Sequence, residues 1–508
     1  MNNFKSMKKY IIILLLLSCN DNYKNNQLNL ILPGDPKSLD PIYASDVRSG
    51  QICSLLYDTL IQFGDSVNII PGIAEAWKIS EKGKKYRFKL KNNVFFHNGK
   101  KVLSEDIKQA FTRISNPDNL SSFDWIFNNV KGQEEYLKGN KTEISGFVAE
   151  NDSIFIIELN QIQNSFLYYL AMPPTSIVLC KPNKIIGTGP WKLKERVIDG
   201  HLLFDRNQKY FNTAPKIEQL KIRILPETFP RVAEFLTGYL DIMEIPENEY
   251  KSWAKKEKNK ENIFLQNDLN TYYVGLNCSK FPFNNKKIRQ AVNYAIDKNL
   301  IIQNVLNGRA RVASGSIPPE LHKKNKEKEQ IYTYNIEKAK RILKEENIDQ
   351  PIKIELWQSK SQKNSLITEI IQAQLKKINI EVKIIRRDWN MFTQAIRENR
   401  PDMYYRSWYA DYPDAENFIS PLFESTITKK RWNRYQNQEI DQIIALIEKE
   451  NDRKRRNDLI ERANDIIIND APWIFLWHSQ TAYIKNEKIK NWRPKTMYNA
   501  EKYNLVKK

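Results

Sequence analysis

Alternation of apolar and polar positions predicts short strands in the N-terminal part of the chain. Residues 86–90 read Tyr-Arg-Phe-Lys-Leu, which places every second side chain on one face, as a half-buried strand requires. Residues 28–32 form an apolar run of strand length. Asn92-Asn93 and Asn98-Gly99 are typical of hairpin turns, and they flank residues 94–97. We therefore expect strands connected by tight turns in this region.

Apolar residues at helical spacing predict several helices. Ser104 occupies a typical cap position, and the apolar positions 107, 110, 111 and 114 that follow lie on one helix face. Another helix is predicted over residues 50–62. Residues 288–301 show the same helical spacing, so their apolar side chains are assigned to core packing.

The second half of the chain alternates between helical and strand periods. Helices are predicted at 335–344 and 365–378, and strands at 352–357 and 380–385. Such alternation indicates an α/β lobe.

Length and composition indicate a globular protein. The 508 residues allow about three domains. Hydrophobic residues make up 41% of the chain and aromatic residues 11%, which is too much for a disordered protein. The chain contains no low-complexity tract and no internal repeat of about 20–50 residues.

The N-terminus combines lysines with a short apolar run. Lys5, Lys8 and Lys9 precede apolar residues 10–17, and Ser18-Cys19 follows them. As a helix this run spans only about 12 Å, far less than the ~30 Å hydrocarbon core of a bilayer. We interpret it as an export signal rather than a membrane span. The alternative is a buried N-terminal helix that ends in a cysteine by chance.

The net charge of +20 raises the question of a nucleic-acid partner. The lysines are spread over nearly all predicted surfaces, as in residues 82–91, 255–260 and 323–328, and other residue types interrupt each run. This distribution favours an ordinary solvated surface and predicts no specific nucleic-acid binding. Weak attraction to anionic lipid or to a cell-wall polymer is the alternative.

Signatures of enzymes, cofactor sites and metal sites are absent from the sequence. It contains no Gly-x-Ser-x-Gly, no His-Glu-x-x-His and no Gly-x-Gly-x-x-Gly. The histidines are more than 90 residues apart and do not have the spacing of a zinc site. After Cys19, the cysteines are Cys53, Cys180 and Cys278, an odd number that needs no disulfide framework. A Cys180–Cys278 bridge is left open.

One run of residues combines a single carboxylate with many aromatic rings. Residues 404–414 read Tyr-Tyr-Arg-Ser-Trp-Tyr-Ala-Asp-Tyr-Pro-Asp, and a predicted strand at 401–408 leads into it. Aromatic surfaces beside one charge, here Asp411, suit the capture of a small cationic group. Alternatively, Asp-Tyr-Pro-Asp forms a turn in which Asp411 accepts hydrogen bonds from the local backbone.

This run resembles the ligand-gripping segment of extracytoplasmic solute-binding protein family 5, the oligopeptide, dipeptide and nickel binders of ABC transporters. Oligopeptide-binding members commonly read Gly-Trp-x-x-Asp-Tyr-x-x-Pro there; here Ser407 replaces the glycine and Pro413 comes early. Other motifs follow the order of that family from about residue 28 to the end: Leu39-Asp40-Pro41, Ala74-Glu75-x-Trp77, Phe96-His97-x-Gly99, Gly187-Thr-Gly-Pro-Trp191, Gly238-Tyr-Leu-Asp241, Phe281-Pro-Phe283 and Ile317-Pro-Pro319.

The resemblance implies an α/β fold with two lobes, like the type II (cluster C) periplasmic binding proteins, and an extra N-terminal α+β subdomain. Leu16-Leu17-Ser18-Cys19 is similar to a bacterial lipoprotein signal, which implies that Cys19 is lipidated. The expected segments are a signal peptide at 1–18, lobe I at 19–60, 185–270 and 480–508, the extra subdomain at 61–184 and lobe II at 271–479.

The function implied by the resemblance is that of a non-catalytic, membrane-anchored component of an ABC-type importer. It would capture short peptides between closing lobes and deliver them to the permease subunits. We expect a monomer without cofactors or metals, held on the extracytoplasmic face of a bacterial membrane through acylated Cys19. The alternatives are a binder of nickel chelate, haem or glycan on the same scaffold, and a surface interaction protein that has lost transport.

The resemblance also implies a set of ligand contacts. Asp411 would bind the ammonium group of the ligand, and the ligand carboxylate needs a cation, for which Arg386, Arg387, Arg397 and Arg406 are candidates. The implied contacts are Ser45, Asp46, Val47, Tyr273, Trp389, Arg397, Arg406, Trp408, Tyr409, Ala410, Asp411 and Tyr412.

Two features depart from the oligopeptide-binding pattern. A disulfide found in some members would join the positions of Asn270 and Tyr409, so it is absent here. An arginine that precedes the tryptophan in those proteins aligns with Tyr405, and Arg406 stands beside it. Carboxylate capture is therefore expected to differ from theirs.

Overall fold

The structure is a computed structural model that describes residues 26–65, 67–181, 184–322, 331–348 and 350–508. The expected export signal and Cys19 lie outside the described residues. The strands are β1 (Gln27–Leu32), β2 (Ile61–Phe63), β3 (Ile69–Pro71), β4 (Ala74–Ser80), β5 (Lys85–Leu90), β6 (Phe147–Asn151), β7 (Ile154–Glu158), β8 (Leu179–Lys181), β9 (Lys184–Ile186), β10 (Trp191–Val197), β11 (His201–Arg206), β12 (Gln219–Ile224), β13 (Ile242–Glu244), β14 (Ile263–Asn267), β15 (Asn270–Leu276), β16 (Ala310–Val312), β17 (Ile352–Ser359), β18 (Ile380–Arg387), β19 (Met403–Tyr409) and β20 (Trp473–Lys485).

The α-helices are distributed along the whole described chain. They are α1 (Val47–Leu56), α2 (Ser104–Ser115), α3 (Gln133–Leu137), α4 (Phe166–Tyr169), α5 (Thr228–Leu236), α6 (Tyr250–Ala254), α7 (Lys286–Tyr294), α8 (Lys298–Asn304), α9 (Ile336–Glu345), α10 (Gln362–Lys376), α11 (Trp389–Arg397), α12 (Ser420–Phe423), α13 (Ser425–Thr428), α14 (Gln438–Lys449) and α15 (Arg453–Asp470).

The first large sheet joins the start of the chain to its middle. Its strand order is β1-β12-β11-β10, with β1 parallel to β12 and the other pairs antiparallel. Leu28 pairs with Leu220 and Leu30 with Ile222, and all four side chains are buried. Helix α1 contributes Ile52 to the same core.

The second large sheet has the order β13-β20-β15-β19-β17-β18, and β14 and β16 also pair with β20. The β17–β18 pair is parallel, as expected for an α/β lobe. Strand β20 changes partners along its length, because residues 473–477 pair with β15, residues 480–484 with β14 and residues 483–485 with β13. The segment boundary expected at 479–480 stays a prediction.

A smaller antiparallel sheet, β4-β5-β7-β6, packs against α2. The predicted alternation in β5 is confirmed, because Tyr86, Phe88 and Leu90 are buried while the residues between them are exposed. The centre of this core is Phe111, whose ring centroid lies 4.9 Å from that of Phe127 and 5.7 Å from that of Phe155.

Three predicted helices differ from the observed ones at their ends. Helix α1 starts at Val47 rather than residue 50, because the Asp46 side chain accepts a hydrogen bond from the Ser49 N–H. Ser104 is the first residue of α2 and not its cap, since Leu103 still has extended backbone. The helix expected over 288–301 is two helices, because Asp297 accepts from the Leu300 N–H and starts α8.

The end of α1 is fixed by a close approach of the Gly187-Thr-Gly turn. A Cβ atom at Gly187 would lie 2.0 Å from the Leu56 carbonyl oxygen, and one at Gly189 would lie 2.4 Å from that of Leu55. Only residues without a side chain fit there. This turn therefore has a packing role.

A buried carboxylate joins three separate stretches of chain. Asp58 is 1% exposed, and it accepts hydrogen bonds from the Tyr210 hydroxyl at 2.9 Å and the Thr188 hydroxyl at 3.0 Å. The Lys502 ammonium forms a salt bridge with it. A second such anchor lies at the chain end, where Lys508 Nζ is 2.9 Å from Asp241 Oδ2 and the same oxygen accepts from the Asn29 N–H at 2.7 Å.

Replacing Lys502 should destabilise the fold, because Asp58 would keep a buried charge without its cation. Removing one partner of a buried pair costs about 3–5 kcal/mol, so Lys502→Met should lower the free energy of unfolding by about 3 kcal/mol in urea denaturation at pH 7. Lys495→Met is the matched control, since its partner Asp65 has 77% of its side chain exposed. The control should lose less than about 1 kcal/mol. Equal losses in both variants would contradict a structural role for the Asp58 pair.

Candidate functional site

A cleft opens where α1, the end of β19 and the C-terminal segment meet. It encloses a cavity of about 520 Å³ that is lined by Val47 and Gln51 of α1, by Tyr409 and Ala410, and by Tyr498. A second cavity of about 200 Å³ shares Gln51 and Tyr498 with it and reaches β1 and β12. Residues of both large sheets therefore line the cleft.

The loop after β19 holds Asp411 beside this cleft. The Asn417 side-chain oxygen accepts hydrogen bonds from the Asp411 N–H at 3.0 Å and from the Trp408 indole N–H at 3.2 Å, which fixes the loop. Asp411 is half-buried and forms no salt bridge with any described residue. Burial, together with the charge of Asp411, raises the pKa of Tyr498, a residue of the cavity wall.

The Asp411 carboxyl is electrostatically uncompensated. Burial raises its pKa to about 6, and a hydrogen bond from the Asn417 side chain opposes that shift only in part. A desolvated carboxylate without a counter-charge attracts a cation strongly. The geometry thus places a carboxylate without a counter-charge at the edge of the cleft.

An arginine of β19 lies between two indole rings. The Arg406 Cζ atom is 4.9 Å from the ring centroid of Trp389 and 4.6 Å from that of Trp432. Its Nε is buried without a hydrogen-bond partner among the described residues. Burial lowers the pKa of Arg406, and the charge of the exposed Arg397 lowers it further. This cluster joins the loop through Trp408, whose ring centroid is 5.9 Å from that of Trp432.

Two of the expected contacts face protein instead of the cleft. Tyr273 is fully buried and stacks on Trp473 at a centroid distance of 3.5 Å, so it is a core residue. Its neighbour Tyr272, on the opposite face of β15, has its hydroxyl 3.3 Å from that of Tyr409. Tyr412 is also buried, and its hydroxyl donates to Glu416 Oε2 at 2.7 Å.

Of the three expected contacts at the start of α1, Asp46 has a structural role, whereas Ser45 and Val47 lie at the surface. The Asp46 carboxylate accepts from the Ser49 N–H at 3.2 Å and from its hydroxyl at 2.6 Å, so it caps the helix. Ser45 and Val47 are exposed, and Val47 lines the cavity. Asn270 and Tyr409 are register partners in β15 and β19, and neither is a cysteine.

Several residues at the cleft were missed by the sequence reasoning. Tyr498 and Glu501 come from the C-terminal segment, and Glu244 and Asp268 from the ends of β13 and β14. No local pattern marks them, because they meet only after β20 has brought these segments together. Trp432 likewise carries no signal beyond being an isolated aromatic residue.

The described part of the chain holds no group of three or more His, Cys, Asp or Glu side chains that could bind a metal ion. Cys53, Cys180 and Cys278 are free, so the bridge left open between Cys180 and Cys278 is not formed. None of the helices in the described ranges is both long and apolar enough to cross a membrane.

Comparison with known proteins gives a consistent result. Residues 68–430 match the model of the bacterial extracellular solute-binding proteins, family 5 middle region. The dipeptide-binding protein of Escherichia coli is 27% identical over 478 residues, which cover 88% of each chain. Heme-binding protein A of Haemophilus influenzae is 29% identical over 454 residues, covering 84% of this chain and 82% of that protein.

Solved structures show the same fold. The Helicobacter pylori periplasmic binding protein DppA in complex with the peptide STSA superposes with a TM-score of 0.82 at 24% identity, covering 95% of this chain and 98% of that one. A periplasmic oligopeptide-binding protein of Borrelia burgdorferi gives a TM-score of 0.83 at 23% identity, with 95% and 99% covered. The chain has the two-lobed α/β fold of these proteins, and it belongs to the bacterial extracellular solute-binding proteins of family 5, which bind solutes and are not enzymes.

Proposed function

We propose that the protein captures short peptides for an ABC-type importer. The observation that carries this proposal is the uncompensated Asp411 carboxylate at the edge of a cleft between two sheets, with the unpaired Arg406 on the same β19 segment. A peptide with free ends carries one ammonium and one carboxylate group, and these two side chains complement it. Closure of the lobes would exclude water, as in hinged binding proteins.

The amino end of the peptide would be held by Asp411. The loop is fixed by Asn417, so little conformational freedom is lost when a ligand binds. Tyr409, Ala410 and Val47 line the cavity beside it and would contact the adjacent part of the ligand. The indole of Trp408 is held by the same Asn417 oxygen and would support the loop from behind.

Arg406 is the best of the four candidate cations for the carboxylate end. Arg386 forms a salt bridge with Glu369 at 2.7 Å, and Arg387 lies over Trp357 and donates to a backbone carbonyl. Arg406 has no carboxylate partner among the described residues, and Arg397 adds a second positive charge near it. Stacked indoles would orient the guanidinium without neutralising it.

The names of the relatives favour a peptide ligand over haem or nickel. The Escherichia coli and Helicobacter pylori proteins are named for a dipeptide and a bound peptide, whereas the Haemophilus influenzae relative is named for haem. Haem and nickel are usually held by histidine. The described cleft cavities have no histidine in their lining, and the imidazole of the buried His478 is bonded to the Asn270 carbonyl. These facts favour a peptide.

The protein would act as a monomer on the outer face of a bacterial membrane, tethered through acylated Cys19 after removal of residues 1–18. Its partners would be the peptide and the permease subunits, and lobe II at 271–479 would close on lobe I. The basic segment and short apolar run before Ser18-Cys19 support this anchor.

Asp411→Asn should weaken binding of trialanine by roughly 30-fold or more, since breaking a desolvated charge pair costs about 2–5 kcal/mol. Acetylating the peptide amine should weaken wild-type binding similarly. The two changes together should cost less than their sum, because both remove one interaction. Isothermal titration calorimetry measures all four combinations.

The control for this cycle is trialanine amidated at its C-terminus, which keeps its amine. Amidation should weaken binding to wild type and to Asp411→Asn by the same factor, because it removes the contact with Arg406 instead. If Asp411→Asn folds normally and binds acetylated and free trialanine as wild type does, the amine is not held by Asp411.

In the absence of ligand, Asp411→Asn should stabilise the fold at high pH. The pKa of Asp411 is about 6 in the folded protein, against about 3.9 in an unfolded chain. As pH rises from about 4 to 6, the unfolded chain releases this proton first, so Asp411 destabilises the fold above pH 6 and not below pH 4. Urea denaturation should show a gain of about 1–3 kcal/mol at pH 8 that disappears near pH 4.

The matched control is Asp414→Asn, three residues along the same loop. Asp414 is paired with Arg456 at 2.9 Å and should lose stability at pH 8 when its charge is removed. A comparable loss in Asp411→Asn would show that its carboxylate serves the turn, the alternative raised by the sequence.

Cys19→Ala should release the protein from the membrane fraction into the soluble fraction of its host. One acyl chain binds membranes only marginally, so stable attachment requires at least two. Mass spectrometry of the wild-type N-terminus should find an acylated Cys19 as the first residue. A mature chain that retains residues 1–18 or carries an unmodified cysteine would refute the anchor.

A further inference from the structure

A seam of contacts lies behind the ligand loop, where residues 163–169 meet the segment after Asp411. The ring of Tyr412 stacks with that of Tyr168 at a centroid distance of 6.2 Å and meets that of Tyr169 edge-on at 5.1 Å. The buried Glu416 accepts from the Tyr412 hydroxyl at 2.7 Å and from the Ser165 hydroxyl at 3.0 Å, both through Oε2. One carboxylate oxygen thus joins the two sides.

A second set of hydrogen bonds continues the seam along the end of α14. The Asn164 N–H donates to the Glu448 carbonyl at 3.1 Å. The Asn164 amide group donates to the carbonyls of Ile447 at 3.3 Å and Glu450 at 2.5 Å. Asn164 therefore makes three hydrogen bonds across the seam, all to backbone groups of the opposite side.

The part of the chain that supplies Asn164 and Ser165 is itself bound to the α1 side of the cleft. Arg113 Nη1 donates to Asp40 Oδ1 at 2.9 Å, and the Ser121 hydroxyl donates to the Ile42 carbonyl at 3.0 Å. The cleft wall that contains α1 and the wall that contains the Asp411 loop are thus connected behind the cleft as well as through β20. Contacts that two walls make only when the cleft is closed favour the closed arrangement by their free energy.

We propose that this seam is a closure latch, and that Asn164 and Ser165 are positioning residues for the loop that carries Asp411. The proposal rests on the proposed function, because it assumes that the two walls close on a ligand. The extra subdomain thereby contributes to ligand retention without touching the ligand. Breaking the latch should make the closed arrangement less populated and so speed ligand release, while capture by the open arrangement stays unchanged.

Stopped-flow binding of trialanine tests this assignment. Ser165→Ala should raise koff about 3–10-fold with kon unchanged, the usual effect of losing one hydrogen bond, and Asn164→Ala should raise it more. Glu416→Gln keeps an oxygen that accepts both bonds and should stay within about twofold of wild type. Ser153→Ala is the matched control, since this exposed hydroxyl in the same subdomain bonds only to Asn151 among the described residues, away from the seam. Unchanged koff in both seam variants, or an equal fall in kon, would overturn the latch.

Small-angle scattering tests the latch independently of the peptide assignment. Without ligand, Asn164→Ala should have a larger radius of gyration than wild type and Ser153→Ala, because its closed arrangement is less populated. If trialanine fails to bind wild type but this difference is present, the peptide assignment is wrong and the latch stands. If ligand-free Asn164→Ala and Ser153→Ala have the same radius of gyration as wild type, the latch is refuted whatever the ligand is.

Discussion

The buried ion pair between Asp58 and Lys502 holds the first, middle and last parts of the chain at one place. Its carboxylate is fully covered, and hydroxyl groups of Thr188 and Tyr210 satisfy its remaining lone pairs. A buried charge is stable only when its partners are in place, so the pair forms only when all three segments are packed together. The same contacts hold the C-terminal segment in its place along the cleft. The wall containing Tyr498 thus depends on an ion pair outside the binding site.

The cleft carries a charge that the ligand-free fold does not neutralise. Asp414, three residues after Asp411, has its arginine, and Asp58 has its lysine, but Asp411 has only dipoles around it. The raised pKa of Asp411 is the physical sign of that cost. In the proposed function, stability and binding therefore make opposite demands on Asp411, a conflict that is typical of binding sites.

Sequence patterns predicted the strands and helices well where one face of the element is buried and the other is exposed to solvent. The alternation in β5 is unambiguous because its polar positions are charged, and β17 and β18 follow from their apolar runs. The break between α7 and α8 was missed because apolar spacing continues across it, while the Asp297 cap that ends the pattern is a single residue. Local caps compete with periodicity, and periodicity alone does not reveal them.

The site was predictable only in part. The aromatic run around Asp411 marked the loop, yet the resemblance implied a contact at Tyr273, whose ring packs on Trp473 in the core. Both faces of β15 are aromatic here, so the sequence does not say which face is buried. Trp432 contacts Arg406, and Glu416 contacts Ser165. In each pair the two residues are distant in the sequence, and no motif marks them. Their roles follow from tertiary packing, which no local window contains.

The anchor at the chain end has a consequence for how the protein folds. Strand β1 begins at Gln27, but the Asp241 carboxylate that receives the Asn29 N–H is completed by the ammonium of Lys508, the last residue. Contacts between residues so far apart in the sequence must overcome a loop-closure entropy, and they form late. Strand β1 also pairs with the distant β12, which begins at Gln219. We therefore expect the local β10–β11–β12 pairing to form first and β1 to join this sheet afterwards.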